Sequence, residues 1–182
     1  MFIKIKQLLS YLVESPKYWL AYIIAGVSAL LVALLYQYAF DEWPCVLCIH
    51  IRLWLTLLII VSIAGLLLRK YKILGLFTHL ATVLVAIGLT ERSYMLLGTE
   101  RGFVFGDCGF NVGLPAWFAV EAWVPWLYKV ESSCGYTPEL ILGITMAEAL
   151  MAMSIGLLIL SAAVFIVGLV AVINSMSRPE IR

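Results

Sequence analysis

Charge is what this sequence has least of. Only 13% of its 182 residues are Asp, Glu, Lys or Arg, against about 25% in soluble domains. A soluble globular fold is excluded on that balance, because 64% of the chain is apolar and the mean hydropathy is +1.04. Neither sign of charge dominates: 12 Lys and Arg against 11 Asp and Glu leave a net charge of +1. The basic surplus of a nucleic-acid-binding protein is therefore missing, and so is the acidic surplus of a solvating, disordered chain. Solenoid-period repeats and low-complexity tracts are also lacking. What remains is an integral membrane protein, read as a single domain over 1–182.

The apolar residues are gathered into long uncharged runs. Trp19 to Phe40 is 22 residues without a formal charge, about 33 Å of helix at 1.5 Å per residue and enough to cross a bilayer core of roughly 30 Å. Aromatics stand at both of its ends, as in an interface belt. Leu53 to Leu68 extends back through Cys45 to Arg52, with Pro44 suited to the first helical turn. Spans are expected at about 19–40, 45–68, 73–90 and 147–173. The apolar run after Lys4, Lys6 and Lys17 is too long for a signal-peptide core, so the first span reads as an uncleaved anchor.

Eight Lys and Arg fall in the N-terminal tail (Lys4, Lys6, Lys17), the 69–72 turn (Arg69, Lys70, Lys72) and the C-terminal tail (Arg178, Arg182). Alternating helices put all three on one side, which the positive-inside rule makes cytoplasmic. The opposite side holds a short connection around Asp41 and a long loop, about 91–144, so all four cysteines face outward. A loop of that length is usually functional. Its aromatic stretch from Leu114 to Tyr128 is expected to lie in the membrane interface.

Cys45-Val46-Leu47-Cys48 is a C-x-x-C, and Cys108 and Cys134 are separated by 25 intervening residues in the long loop. Four cysteines on an oxidising face allow three disulfide pairings. A structural zinc site wants a second close pair of ligands, which Cys108 and Cys134 do not supply. A small ring at Cys45–Cys48 stabilises little by loop closure, so that pair reads as a redox switch. The helix N-terminus and Arg52, four residues after Cys48, both favour the thiolate, the species that attacks and leaves in exchange. Two pairs on one face suggest a relay from the loop pair to the membrane pair. A hydrophobic two-electron acceptor, a quinone, then fits beside Cys48 and Arg52.

The motif Pro44-Cys45-Val46-Leu47-Cys48 with Arg52 four residues on, at the head of the second of four spans and joined to a loop bearing Cys108 and Cys134, resembles the disulfide bond formation protein B (DsbB) family of bacterial inner membranes. A DsbI-type subgroup shares the same core residues. The resemblance implies a thiol:quinone oxidoreductase with redox disulfides Cys45–Cys48 and Cys108–Cys134. Cys108 would meet a periplasmic thioredoxin-fold partner of the DsbA type, and Cys134 would exchange with Cys45. Cys48 and Arg52 would face ubiquinone or menaquinone. Ile51 stands where some members carry an acidic residue before the Arg, and Glu148 is not a general feature of the family.

Four further residues are weighed beside these. Glu148, an ionisable group entering the fourth span, is a candidate for quinone protonation or for pairing with Arg52 or Arg92, and equally for a helix-end carboxylate. Arg92 is a second candidate for the quinone head, against a plain interface anchor. His50 is a proton relay or a bystander on another face. His79 reads as an interhelical hydrogen-bonding group. The expected fold is an all-α, antiparallel four-helix transmembrane bundle with both termini cytoplasmic and one interfacial helix in the long periplasmic loop. The rival functions are a non-catalytic membrane scaffold with structural disulfides and a carrier importing reductant.

Overall fold

A computed structural model describes residues 13, 15–104, 108–109, 111–115, 117–141 and 143–176. Four long helices dominate it: α1 (Pro16–Ala39), α2 (Val46–Leu68), α3 (Lys72–Arg101) and α6 (Met146–Met176). Between α3 and α6 lie two single turns, α4 (Val120–Trp123) and α5 (Pro125–Tyr128), and a small antiparallel pair, β1 (Glu139–Ile141) and β2 (Ile144–Thr145). The four long helices are each long and apolar enough to cross a membrane. Their outer faces carry Ile24, Leu31, Leu67, Phe77 and Ile159 at 60–71% exposure. That surface suits lipid and not water.

Local chemistry sets the helix ends. Ser15 caps α1, its Oγ accepting from Lys17 N–H at 3.3 Å with Pro16 at the first turn. At α2 the cap is Cys45, whose Sγ accepts from Cys48 N–H at 3.3 Å. The third helix continues beyond the expected end at residue 90 to Arg101. Glu91 and Arg92 end the uncharged run but are sound helix formers, and the stop comes where Gly102 takes a left-handed φ of 75°. At α6, Thr145 and Glu148 form a reciprocal capping box: Glu148 Oε2 accepts from Thr145 N–H at 3.0 Å, and Thr145 Oγ1 accepts from Glu148 N–H at 3.3 Å.

Sequential helices pack side by side, α1 on α2, α2 on α3 and α3 on α6. Tyr22 Oη joins the first to the last by donating to Leu157 C=O at 2.8 Å. The core includes Trp19, Tyr22, Leu55, Leu58, Leu89 and Val164, all essentially inaccessible. Two tryptophans replace a neighbour's side chain: a Cβ at Gly65 would strike the Trp19 ring, and one at Gly88 would strike Trp54 at 2.5 Å. His79 is buried, donates through Nε2 to Val13 C=O (3.1 Å) and stacks on Trp19 with centroids 4.6 Å apart, as an interhelical hydrogen-bonding group should.

The single interfacial helix expected over the aromatic stretch is divided into α4 and α5. Val124, the residue before Pro125, leaves the helical region with φ −136° and ψ 65° and separates them. Val120 and Tyr128 from these turns pack with Val112 onto Ile49 of α2. Trp117, Trp123 and Trp126 stay more than half exposed, as residues of a membrane–water boundary do.

Candidate active site

The site is assembled at the head of α2, where a segment of the long loop docks beside Pro44. Pro44 C=O accepts from Glu131 N–H at 3.0 Å and Ser132 N–H at 3.2 Å, and Ser132 Oγ donates to Trp43 C=O at 2.6 Å. Cys45 and Ser132 form an isolated parallel bridge. Two backbone stretches far apart in sequence are thus held together two residues before Cys134.

This docking lines the four sulfurs up in one order. Cys48 Sγ lies 2.7 Å from Cys45 Sγ. Cys134 lies close enough to Cys45 on one side and to Cys108 on the other to affect its titration through both. The series runs Cys48, Cys45, Cys134, Cys108, with each loop-side neighbour closer to solvent than the buried Cys45. At Cys45 the hydrogen bond from Cys134 draws the thiol pKa down, but contact with Cys48 and burial outweigh it and push the value up to about 12. At Cys134 the hydrogen bond with Cys45, then burial, raise the thiol above its ordinary range. Both therefore hold their protons firmly until an exchange step removes them.

Cys48 faces the other way, into a cavity of about 490 Å³ bounded by α1, α2, α3, α6 and the loop. Its walls are mainly apolar, with Val32, Ile51, Leu55, Leu96, Leu150 and Met153 among them, and Arg52 joins Cys48 as the charged member from α2. Cys45 is not part of this lining. The two thiols one turn apart thus address different surroundings, one the loop and one the cavity.

Arg52 is 4% exposed, and its partners are all neutral. Nη1 donates to Gln37 Oε1 at 2.7 Å and Leu127 C=O at 2.9 Å, and Nη2 donates to Ala33 C=O at 3.3 Å. Nε has no partner among the described residues. A buried guanidinium without an ion-paired carboxylate is costly, and it places a positive group on a cavity wall that Asp41 and Glu42 also line. Gln37 was not singled out from the sequence, although it is the lone amide in the first uncharged run and polar groups in a span commonly bind across helices. Tyr128 Oη and Thr56 Oγ1 lie 2.7 Å apart, and Thr56 Oγ1 donates to Arg52 C=O at 2.8 Å, further fixing α5 on this turn of α2.

The remaining expected residues are placed elsewhere. Arg92 pairs with Glu91 at 3.0 Å on the surface and does not line the cavity. Glu148 pairs with Arg101 and completes the α6 cap, also off the cavity lining and away from Arg52 and Arg92. A helix cap and an ion pair occupy both of its oxygens. His50 Nε2 meets Val112 C=O at 2.8 Å, so it ties the loop near Cys108 to α2 instead of facing the sulfurs. Among the described residues no cluster of His, Cys, Asp or Glu could hold a metal ion.

The family model described as disulfide bond formation protein DsbB matches residues 15–164. The chain is 29% identical to disulfide bond formation protein B 2 of Pseudomonas aeruginosa over 152 residues, covering 82% of this chain and 90% of the relative. It is 26% identical to disulfide bond formation protein B of a Shewanella species over 164 residues, 90% of this chain and 91% of the relative. Similarity to the protein of that name from Blochmanniella floridana is 28% over 137 residues, 74% and 79% of the two chains. With the match running from the start of α1 into the fourth long helix, the chain belongs to the DsbB family of disulfide bond formation proteins.

Proposed function

We propose that this protein is a protein-dithiol:quinone oxidoreductase, taking electrons from a periplasmic DsbA-type thioredoxin-fold protein and delivering them to the membrane quinone pool. Family membership supports the coarser statement, an oxidoreductase role of a bacterial multi-pass membrane protein in disulfide formation. The observation that carries the finer reading is the serial order of the sulfurs, from Cys108 at the loop to Cys48 at a mainly apolar cavity that also holds Arg52, bonded only to neutral groups.

In the resting enzyme the pairs are Cys45–Cys48 and Cys108–Cys134. A partner thiolate attacks Cys108, breaking Cys108–Cys134 and freeing the Cys134 thiolate. The partner's second thiolate attacks its own sulfur of the mixed disulfide, leaving Cys108 reduced and the partner oxidised. Cys134 then attacks Cys45, its hydrogen-bonding neighbour, and Cys48 departs as a thiolate. Attack of Cys108 on Cys134 restores the loop disulfide and releases Cys45. Two electrons and two protons now reside on Cys45 and Cys48.

Ubiquinone or menaquinone supplies a lipid-soluble acceptor for those two electrons and two protons. The cavity fits such a group: about 490 Å³ is within the 300–1,000 Å³ common for small-molecule sites, and its walls are mainly apolar. Cys48 and Arg52 would hold it, Cys48 as the electron donor and Arg52 as a fixed positive group for negative charge that develops during transfer. Ser132, Ser133 and Tyr136 close the loop side of the cavity and limit water. The cysteines then lie on the periplasmic face and both termini in the cytoplasm.

The direct test follows the ultraviolet loss of oxidised quinone with purified protein and a reduced thioredoxin-fold donor. Wild type turns over, while Cys48→Ser and Cys108→Ser fall to background. Full rate in Cys48→Ser, or an inactive wild type with both quinones and several donors, overturns the proposal in favour of a scaffold with structural disulfides.

A further inference from the structure

A second cavity lies at the end of the bundle opposite the cysteines. It measures about 180 Å³, many times the roughly 15 Å³ that admits one water. Arg69 and Lys72, from the α2–α3 turn, stand in its wall with Leu76 and His79 of α3, Gly168 of α6 and Val13 just ahead of α1. It plays no part in the sulfur relay.

Three observations together define the ligand. Arg69 and Lys72 bring two positive charges, and among the described residues neither has a carboxylate within ion-pair distance. His79 is 1% exposed, and with Nε2 engaged at Val13 C=O its Nδ1 has no partner. An Nε2–H donor makes Nδ1 an acceptor, so a ligand hydroxyl would satisfy it. Finally, α2 ends at Leu68 and α3 begins at Lys72, which puts the cavity at the level where spans leave the hydrocarbon and headgroups begin. Cations that only snorkelled to the interface would need no enclosed space with an unpaired imidazole beneath them.

We infer that this cavity binds one anionic phospholipid with a hydroxylated headgroup, of the phosphatidylglycerol kind. Its phosphate rests on Arg69 and Lys72, its headgroup glycerol enters beside Leu76 to meet His79 Nδ1, and its acyl chains remain in the bilayer. Basic pockets between membrane helices are suited to such headgroups. A zwitterionic headgroup would bring its own cation to a wall that offers two more and no anion.

The test uses the whole purified protein, stripped of lipid in a neutral detergent, with native mass spectrometry and thermal midpoint as readouts. Added phosphatidylglycerol should be retained at one molecule per chain and should raise the midpoint, whereas phosphatidylcholine and inorganic phosphate should do neither. Arg69→Gln combined with Lys72→Gln should lose retention. Gly168→Leu, which fills the cavity and leaves both charges, should lose it too. Gly168→Ala should keep it, since its Cβ would sit an ordinary 3.6 Å from Val13 Cγ1. Retention unchanged in Gly168→Leu, or an equal response to phosphatidylcholine or phosphate, overturns the inference. If Gly168→Leu does not fold, a photoactivatable phosphatidylglycerol on wild type decides: labelling within residues 69–79 supports the site, and labelling only elsewhere refutes it.

Discussion

The cysteine end of the bundle holds its arginines in two different ways. On α3, Arg92 and Arg101 are paired with Glu91 and Glu148 at positions open to solvent. On α2, Arg52 is buried and bonded only to an amide and two carbonyls. A surface pair is neutralised and contributes little, about 0–1 kcal/mol at most sites. Neutral acceptors orient a buried guanidinium without cancelling its charge, and that charge is available to whatever occupies the cavity beside Cys48. The same residue type is an anchor in one place and an electrostatic tool in the other, and the partner decides which.

The largest expected effect that sharpens this contrast is at Arg52. Arg52→Met should keep the packing volume and lower kcat for quinone reduction by about 10²–10³, the scale of removing one preorganised charge-stabilising donor. Arg92→Gln and Glu148→Gln should both stay within about twofold of wild type. Equal losses in all three would remove the distinction. Lys at position 52 should rescue only part of the rate, because an ammonium cannot span Gln37, Leu127 and Ala33 together.

Gln37 offers an intermediate effect. Gln37→Leu deletes one hydrogen bond to the guanidinium and should lower turnover about tenfold, matching a bond to a charged group of about 1.5 kcal/mol. Gln37→Glu keeps an acceptor but adds a counter-charge, so it should lower the rate by at least as much. A purely structural role for Gln37 would make the Glu variant, with its acceptor retained, the milder of the two.

The smallest effect concerns the loop thiols in the reduced protein. Because the hydrogen bond with Cys45 and burial raise the Cys134 pKa, its thiolate fraction at neutral pH lies below that of an ordinary cysteine. Its alkylation by iodoacetamide, read by peptide mass spectrometry, should therefore be slower than that of a free thiol at pH 7. The rate should rise about tenfold per pH unit through pH 9, past the point where an unperturbed thiol of pKa about 8.5 levels off. A plateau below pH 9 would separate Cys134 from Cys45.

Much of this arrangement was legible in the sequence. Spans follow from uncharged run length, and the C-x-x-C followed by Arg52 on the next turn is visible by spacing alone. The end of α3 was not, because Glu91 closes an apolar run without opening a turn, and Gly102 is the residue that ends the helix. The role of Glu148 was present as Thr145-Met146-Ala147-Glu148, a capping-box spacing, which an acid at the head of a span shares with a buried functional carboxylate. The pairing of Ser132 with Pro44 left no signature, since two irregular backbone stretches meeting once have no periodicity to read. Contacts of that kind bring Cys134 to Cys45, so the order of the sulfurs emerges from tertiary structure.

That order is tested most directly by removing the two outer members of the series, Cys48→Ser with Cys108→Ser, and mapping the remaining sulfurs by mass spectrometry of the membrane-inserted protein under oxidising conditions. A Cys45–Cys134 disulfide within one chain is the expected product. Free thiols at both positions, or Cys134 joined only to a second molecule, would contradict a relay in which Cys134 passes electrons to Cys45.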